Sequence, residues 1–312
     1  MSNEPKRTSE TLRLGKGSRN KIEVSNFDSI EALLDYIKNT ERQPRNAERQ
    51  QSEKNDNDFN GGDSYEVALG KTMNGCEKTL AKVEAFVEKI KAVTCVDNST
   101  RWTSVNDVVG DCWDMGAVTQ GIPECAISTQ SIADRQDNSL AVDKVISICL
   151  SICVSASVNP SAIQRRGAAL VATVDALESF GVRCEVRVEL GSGWQTEGKA
   201  KCTHSLMTLK VKDAGQPLET SRLAYLVGHA GFFRRIGFAW MERLQDCKLS
   251  YSYGSVCDIR AQHDEALVDA GYDSCDIRFG TTAGNHLNGM SEANWSDYVI
   301  KILAERGITI DN

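Results

Sequence analysis

The chain has 312 residues, 41% hydrophobic and 25% charged, the composition of an ordinary soluble globular protein and enough length for one large domain or two modest ones. Five prolines and 24 glycines exclude collagen-like and proline-rich disordered classes, and no run approaches the ~18–20 apolar residues of a membrane helix. Thirty-six basic against 43 acidic side chains leave a net charge of −7, which argues against a broadly polybasic binder but leaves room for a local basic groove.

Residues 1–20 are polar and without period, and are expected to form a mobile arm. Asp28 or Ser29 then caps a short amphipathic helix whose stripe is Ile30, Leu33, Leu34 and Ile37. From Asn39 to Asp58 the chain is charged and amide-rich, so a linker is expected there. The division is therefore 1–60, a flexible arm with a helix and linker, and 61–312, the body. Ser64–Ala92 reads as helix, broken near Asn74-Gly75, with Leu80, Val83, Phe86, Val87 and Ile90 on one face. An irregular region follows, with Trp102 and Trp113 as expected packing anchors.

The strongest signal starts at Val145. Residues 145–154 are almost continuously apolar or small, as in a strand covered on both faces. Pro160 and Ser161 stand at helix-start positions, 162–180 is a long helical pattern, and Gly181 sits where a C-terminal cap belongs. Val182–Leu190 then alternates with period two. Strand, helix and strand make a βαβ unit with parallel strands and a right-handed crossover. Gly191-Ser192-Gly193 reads as a hairpin turn, because no Gly-Lys-Ser/Thr follows to make a phosphate loop. Ser205–Val211 is a further strand, 218–227 and 232–244 are helical, 276–279 is a short strand, and 292–306 is a helix closed by Gly307. The fold class is α/β: a layered, mostly parallel sheet flanked by helices, von Willebrand A-like or Rossmann-like, behind a mobile N-terminal region.

The eleven cysteines include no CxxC pair, and Cys149 and Cys153 lack the second pair that structural zinc needs. Most are expected to be small buried hydrophobes in a reducing cytosol. Ligands of open α/β sheets bind beyond the carboxyl ends of strands, which here is the turn Cys153-Val154-Ser155-Ala156-Ser157. It resembles the Asp-x-Ser-x-Ser metal motif of von Willebrand A-type domains with Cys153 in place of the aspartate. A thiol removes both charge and oxygen from a site for a hard cation, so no metal and no cofactor are expected. His204, His229, His263 and His286 are widely spaced; His229 lies between two helical patterns and could cap one. No nucleophile elbow or zinc-protease motif is present, so the expectation is a non-enzymatic protein.

One grouping suggests ligand chemistry. Arg165 and Arg166 start the long helix, and Phe232, Phe233, Arg234 and Arg235 lie together in a later one. Guanidinium groups holding phosphates beside aromatic faces that stack on bases is the chemistry of single-stranded nucleic-acid binding.

Arg166-Gly167-Ala168-Ala169, Leu177-Glu178 with Gly181-Val182-Arg183, and Phe233-Arg234-Arg235 with Phe238 resemble a family of phage proteins carrying a domain of unknown function, over roughly residues 60–310. Within that family the chain is similar to accessory proteins of phage middle transcription. The resemblance implies a protein of the host cytoplasm that binds single-stranded DNA and recruits a phage RNA polymerase. The alternatives are a virion or assembly protein, and an enzyme or metal-binding domain using Cys153, Ser155 and Ser157.

Overall fold

The computed structural model describes residues 7–13, 21–43, 52–54, 58–81, 84, 101–107, 112–123, 125–132, 145–179, 182–193, 204–245, 253, 255–272, 274–280, 294, 297 and 301. The expected N-terminal arm gives way to strands β1 (Arg7–Arg13) and β2 (Lys21–Phe27), paired antiparallel. One face of β2 carries Ile22 and Val24, but Glu23 and Ser25 on the other are buried and polar, which halves the apolar signature of the strand. Helix α1 (Ile30–Asn39) begins as expected, with the Ser29 hydroxyl accepting the Ala32 N–H at 3.2 Å, a cap of about 1 kcal/mol. Its stripe joins the same core as the body, so no boundary in the packing falls at residue 60.

Of the expected linker, residues 39–43, 52–54 and 58 are described, and among them Ser52 is buried and bonded to Glu242. Helix α2 (Tyr65–Asn74) is capped by Ser64 and stops at Gly75. There φ is 78°, and a Cβ would meet the Ser221 hydroxyl at 2.4 Å. Residues 77–81 resume the helix, while Val83, Phe86, Val87 and Ile90 lie outside the described residues.

Strands β3 (Arg101–Asp107), β4 (Cys112–Trp113) and β5 (Ala126–Ile132) make a small antiparallel sheet in the order β3-β5-β4, with helix α3 (Met115–Thr119) between β4 and β5. Trp113 is exposed rather than a packing anchor; the Trp102 side chain lies outside the described residues.

The βαβ unit forms as expected: β6 (Val145–Ser151), α4 (Pro160–Ser179) and β7 (Arg183–Gly193), with β6 and β7 parallel and Ile148 opposite Val186. Arg165 and Arg166 thus fall in the second turn of α4. Gly181 lies outside the described residues. Gly191-Ser192-Gly193 is not a turn but the end of β7, paired with β8 (His204–Lys212) on one side and β9 (Ser255–Val256) on the other. Gly191 is needed there because a Cβ would meet the Cys257 carbonyl at 2.5 Å.

Next come α5 (Thr220–Gly228) and a π-helical stretch, Phe232–Gly237, that runs into α6 (Phe238–Met241). Helix α7 (Ile259–Asp269) and β10 (Ile277–Phe279), parallel to β6, complete the sheet. Its order is β1-β2-β8-β7-β6-β10, with β9 on β7. The sheet is mixed rather than mostly parallel. β2–β8, β6–β7 and β6–β10 are parallel, whereas β1–β2, β7–β8 and β7–β9 are antiparallel. The physical reason is the connection at 194–203, too short to carry a crossover helix back to a parallel start.

The main core joins the sheet to α1, α4, α5 and the Phe232–Met241 helix, while a smaller cluster packs β2 and β8 against α7. Among the described residues no helix is long and apolar enough to cross a membrane. Of the expected C-terminal helix, residues 294, 297 and 301 are described, as helix.

Candidate functional site at the carboxyl end of the sheet

Strand β6 ends at Ser151, Ile152–Val154 continue into the interior, and the Ser155–Asn159 turn leads into α4. The Cys-x-Ser-x-Ser turn therefore does stand at the strand's carboxyl end. The Ser155 and Ser157 hydroxyls are 3.0 Å apart, so they converge. Cys153 is buried, and that burial pushes its thiol up to about 12, leaving a neutral S–H with no capacity as a ligand for a hard cation. Among the described residues no group of three or more His, Cys, Asp or Glu could hold a metal ion.

The cations here are guanidinium groups. Arg166 donates from Nη1 to the Ser151 carbonyl at 2.7 Å, and from Nη2 to the Phe279 carbonyl at 2.9 Å and to that of Gly280. It thereby joins the ends of β6 and β10. Arg234 donates to the carbonyls of Val158 (2.9 Å), Ser155 (3.4 Å) and Phe59, and lies 3.9 Å over the Phe59 ring. Burial lowers Arg234 to about 10, so it stays charged at neutral pH. Arg235 donates to the carbonyls of Asp63 (2.9 Å), Ser52 (3.1 Å) and Lys54.

The six residues expected to form a nucleic-acid groove do not form one. Arg166, Arg234 and Arg235 are buried, Phe232 and Phe233 are core residues, and Arg165 is half-buried on α4. In this arrangement phosphates cannot reach the three buried guanidinium groups, and bases cannot stack on the two rings. The Phe232–Met241 helix is enclosed on every side, so Arg234 and Arg235 cannot take a solvated face. A sequence does not distinguish an arginine that faces water from one that spends its five donors on loop carbonyls. Glu242, just beyond the Phe232–Met241 helix, is a separate buried acceptor. Fully buried, it takes Arg42 Nε at 2.9 Å, the Ser52 hydroxyl at 2.7 Å and the Tyr253 hydroxyl at 2.6 Å.

Beside the turn lies a cavity of about 370 Å³ lined by Asp63, Lys71, Cys76, Thr79, Gln164 and His229, among others. Its wall depends on two glycines, where α4 and α5 cross in backbone contact. A Cβ on Gly167 would lie 2.3 Å from the Gly228 Cα. Asp63 accepts from Lys71 at 2.5 Å and from the Tyr225 hydroxyl at 3.0 Å, and lies 3.5 Å from His229 Nδ1. The Gly231 N–H donates to that same nitrogen at 3.1 Å. His229 caps α5 as expected, its N–H reaching the Tyr225 carbonyl, and its ring stacks on Tyr225. Burial, followed by the Asp63 charge, pushes the Tyr225 hydroxyl upward.

Burial opposes ionisation of Cys76, yet bonds from the Thr79 hydroxyl and N–H, with Lys71 nearby, hold its thiol below the usual range. The network braces the Gly61–Ser64 segment against α5, and the cavity also presents the part-buried Cys76 thiol beside Lys71 and Lys78. Sequence reasoning singled out only His229 here. Asp63 stands in a Gly-Gly-Asp-Ser stretch that reads as a turn, and its tyrosine partner is 162 positions away.

No curated protein and no solved structure matches the chain. A family model described as a domain of unknown function (DUF7192) matches residues 6–310, nearly the whole length and including every strand and helix named above. The chain therefore belongs to the DUF7192 family.

Proposed function

We propose that the chain is a non-enzymatic docking protein on a von Willebrand A-like layout, in which guanidinium groups take the place of a metal ion. The observation that carries this reading is Arg166, bonded to three carbonyls at the ends of β6 and β10, with Arg234 bonded to the Ser155 and Val158 carbonyls of the turn that follows β6. A divalent cation would be repelled by that fixed charge and would find no carboxylate at Cys153. The acid–base groups of the neighbouring cavity are committed to one another, which favours recruiting over reacting. The partner implied by the family resemblance is a phage RNA polymerase at opened promoter DNA in the host cytoplasm. On this reading the polymerase contact is made by protein surface, and any contact with single-stranded DNA uses residues other than the six first expected.

The test is thermal unfolding in EDTA and in millimolar Mg²⁺ or Mn²⁺. A site filled to a hundred times its Kd would add about 2.7 kcal/mol, whereas an unchanged Tm is expected. Metal-dependent stabilisation that disappears in Ser155→Ala would overturn the reading. Fluorescence anisotropy with single-stranded and duplex oligonucleotides across a salt series gives a second check. A contact with single strands falls with a log–log slope near −0.7 per phosphate. Arg234→Ala and Arg235→Ala are expected to change stability, and a folded variant that selectively loses DNA affinity would return those arginines to the binding surface.

A further inference from the structure

We propose that Cys149 and Cys275 form a reversible redox pair, a site of thiol–disulfide exchange that takes a low-molecular-weight disulfide as its oxidant. The pair lies on β6 and at the entry to β10, and its cavity shares no lining residue with the one beside Asp63 and His229.

Cys149 is buried in β6, with Arg278 of β10 opposite it in register. Cys275 precedes β10 and is half-buried. A bend at Asp276 takes it out of the strand register. Asp276 holds that bend on β6: its N–H donates to the Ser147 carbonyl at 2.9 Å, and its Oδ2 accepts from the Ser147 N–H and hydroxyl, each at 2.9 Å. Ser147 and Cys149, two apart on β6, point to the same face, so the anchor brings Cys275 beside Cys149. The two thiols are hydrogen-bonded to each other. Both line a cavity of about 160 Å³, together with Ser147, Glu189, Arg260 and Ser274.

The pair divides the two roles that exchange requires. Cys275 is the reachable partner. The bond from Cys149, with Arg260 and Arg278 nearby, holds its thiol below the usual range against burial and the Glu189 charge. Cys149 is pushed up by that same bond and then by burial, so it waits as a thiol. The arginines around the pair are matched by carboxylates, Arg260 by Glu189 at 2.5 Å, Arg187 by Glu185 at 2.6 Å and Arg278 by Asp258. A small neutral disulfide therefore suits the site.

The Cys275 thiolate attacks one sulfur of the disulfide RSSR, the S–S bond breaks, and RS⁻ leaves with the bonding pair. That RS⁻ takes the Cys149 proton. The Cys149 thiolate then attacks the Cys275 sulfur of the mixed disulfide and expels the second RS⁻, which takes up the proton Cys275 had released. Two protein thiols are oxidised to one disulfide, and one RSSR is reduced to two RSH. Closing to the ~2.05 Å bond shifts the Cys275 side, which lies ahead of a three-residue strand at the sheet's edge. The bond then ties to β6 the strand whose Phe279 carbonyl Arg166 holds.

The experiment incubates the reduced full chain with 2-hydroxyethyl disulfide, blocks the remaining thiols with N-ethylmaleimide in denaturant, and maps the digested peptides by mass spectrometry. A Cys149–Cys275 cross-linked peptide that dithiothreitol removes is expected. The oxidised chain should also melt at a higher Tm, because a bridge that fits the native fold constrains the unfolded chain. In Cys149→Ser the reaction should stop at a mixed disulfide on Cys275, and Cys275→Ser should leave Cys149 as a free thiol. The second variant alters a half-buried position, so it decides the matter if the first does not fold. No cross-link, a cross-link mainly through other cysteines such as Cys153 with Cys257, or a Tm unchanged or lowered by oxidation would overturn the proposal.

Discussion

At the carboxyl end of the main sheet charge lies inside, whereas on the small sheet apolar surface lies outside. Arg166, Arg234 and Arg235 are at most 3% exposed, yet Trp113 is 62% exposed. The difference shows that residue type alone does not set position; unmet bonding capacity does. The strand ends and turns around residues 52–63, 151–158 and 279–280 present carbonyls that no ladder satisfies, and a guanidinium with five donors can satisfy several at once. Trp113 stands on a two-residue edge strand. The arginines are therefore tied to backbone carbonyls, and the tryptophan side chain is left facing solvent.

The largest test of that contrast is Arg235→Ala, which leaves the Asp63, Ser52 and Lys54 carbonyls without their guanidinium donor. At about 1–3 kcal/mol for each buried unpaired group, the loss is expected to reach at least about 3 kcal/mol. Urea unfolding measures it, and a midpoint near that of the wild type would break the structural assignment. Arg235→Lys, which keeps the charge with fewer donors, should fall between. Next comes Gly167→Ala, expected to cost roughly 1–3 kcal/mol because its Cβ would meet the Gly228 backbone.

A smaller perturbation probes how tightly the interior is sealed. Cys153 and Cys184 are pushed up to about 12 by burial, whereas Cys76 sits below the usual thiol range. A lowered pKa means more thiolate at a given pH, so iodoacetamide should label Cys76 well before either buried cysteine. At pH 8 a thiol near 12 holds only about 10⁻⁴ of its population as thiolate. Mass spectrometry of pulse-labelled native protein would show the order, and comparable labelling of Cys153 would mean that this end of the sheet opens. Smallest of all, Trp113→Ala should shift stability by no more than about 0.5 kcal/mol. A larger loss would make Trp113 a packing residue after all and erase the contrast.

Periodicity and local punctuation determined much of this protein. The run 145–154, the Pro160 start and the alternation of 182–190 specify the βαβ unit, Ser29 and Ser64 mark their helices, and Gly75 marks a stop. These are legible because they depend on residues within a turn or two of one another. Strand β2 has no clear period because Glu23 and Ser25 occupy a buried face, and Gly191-Ser192-Gly193 is strand rather than turn, its first glycine required by the close approach of Cys257. The candidate site was least legible. Asp63 meets Tyr225, Arg235 meets Ser52, and Arg166 meets Phe279 across separations of more than one hundred residues. The sequence by itself determined the strands and helices of 145–190 and 205–241, since a hydrophobic period is a local property, but not the small sheet β3–β5, α3, β9 or α7. Only the tertiary structure decided whether Arg234 or Trp113 faces water, because that depends on distant backbone groups left in need of a donor.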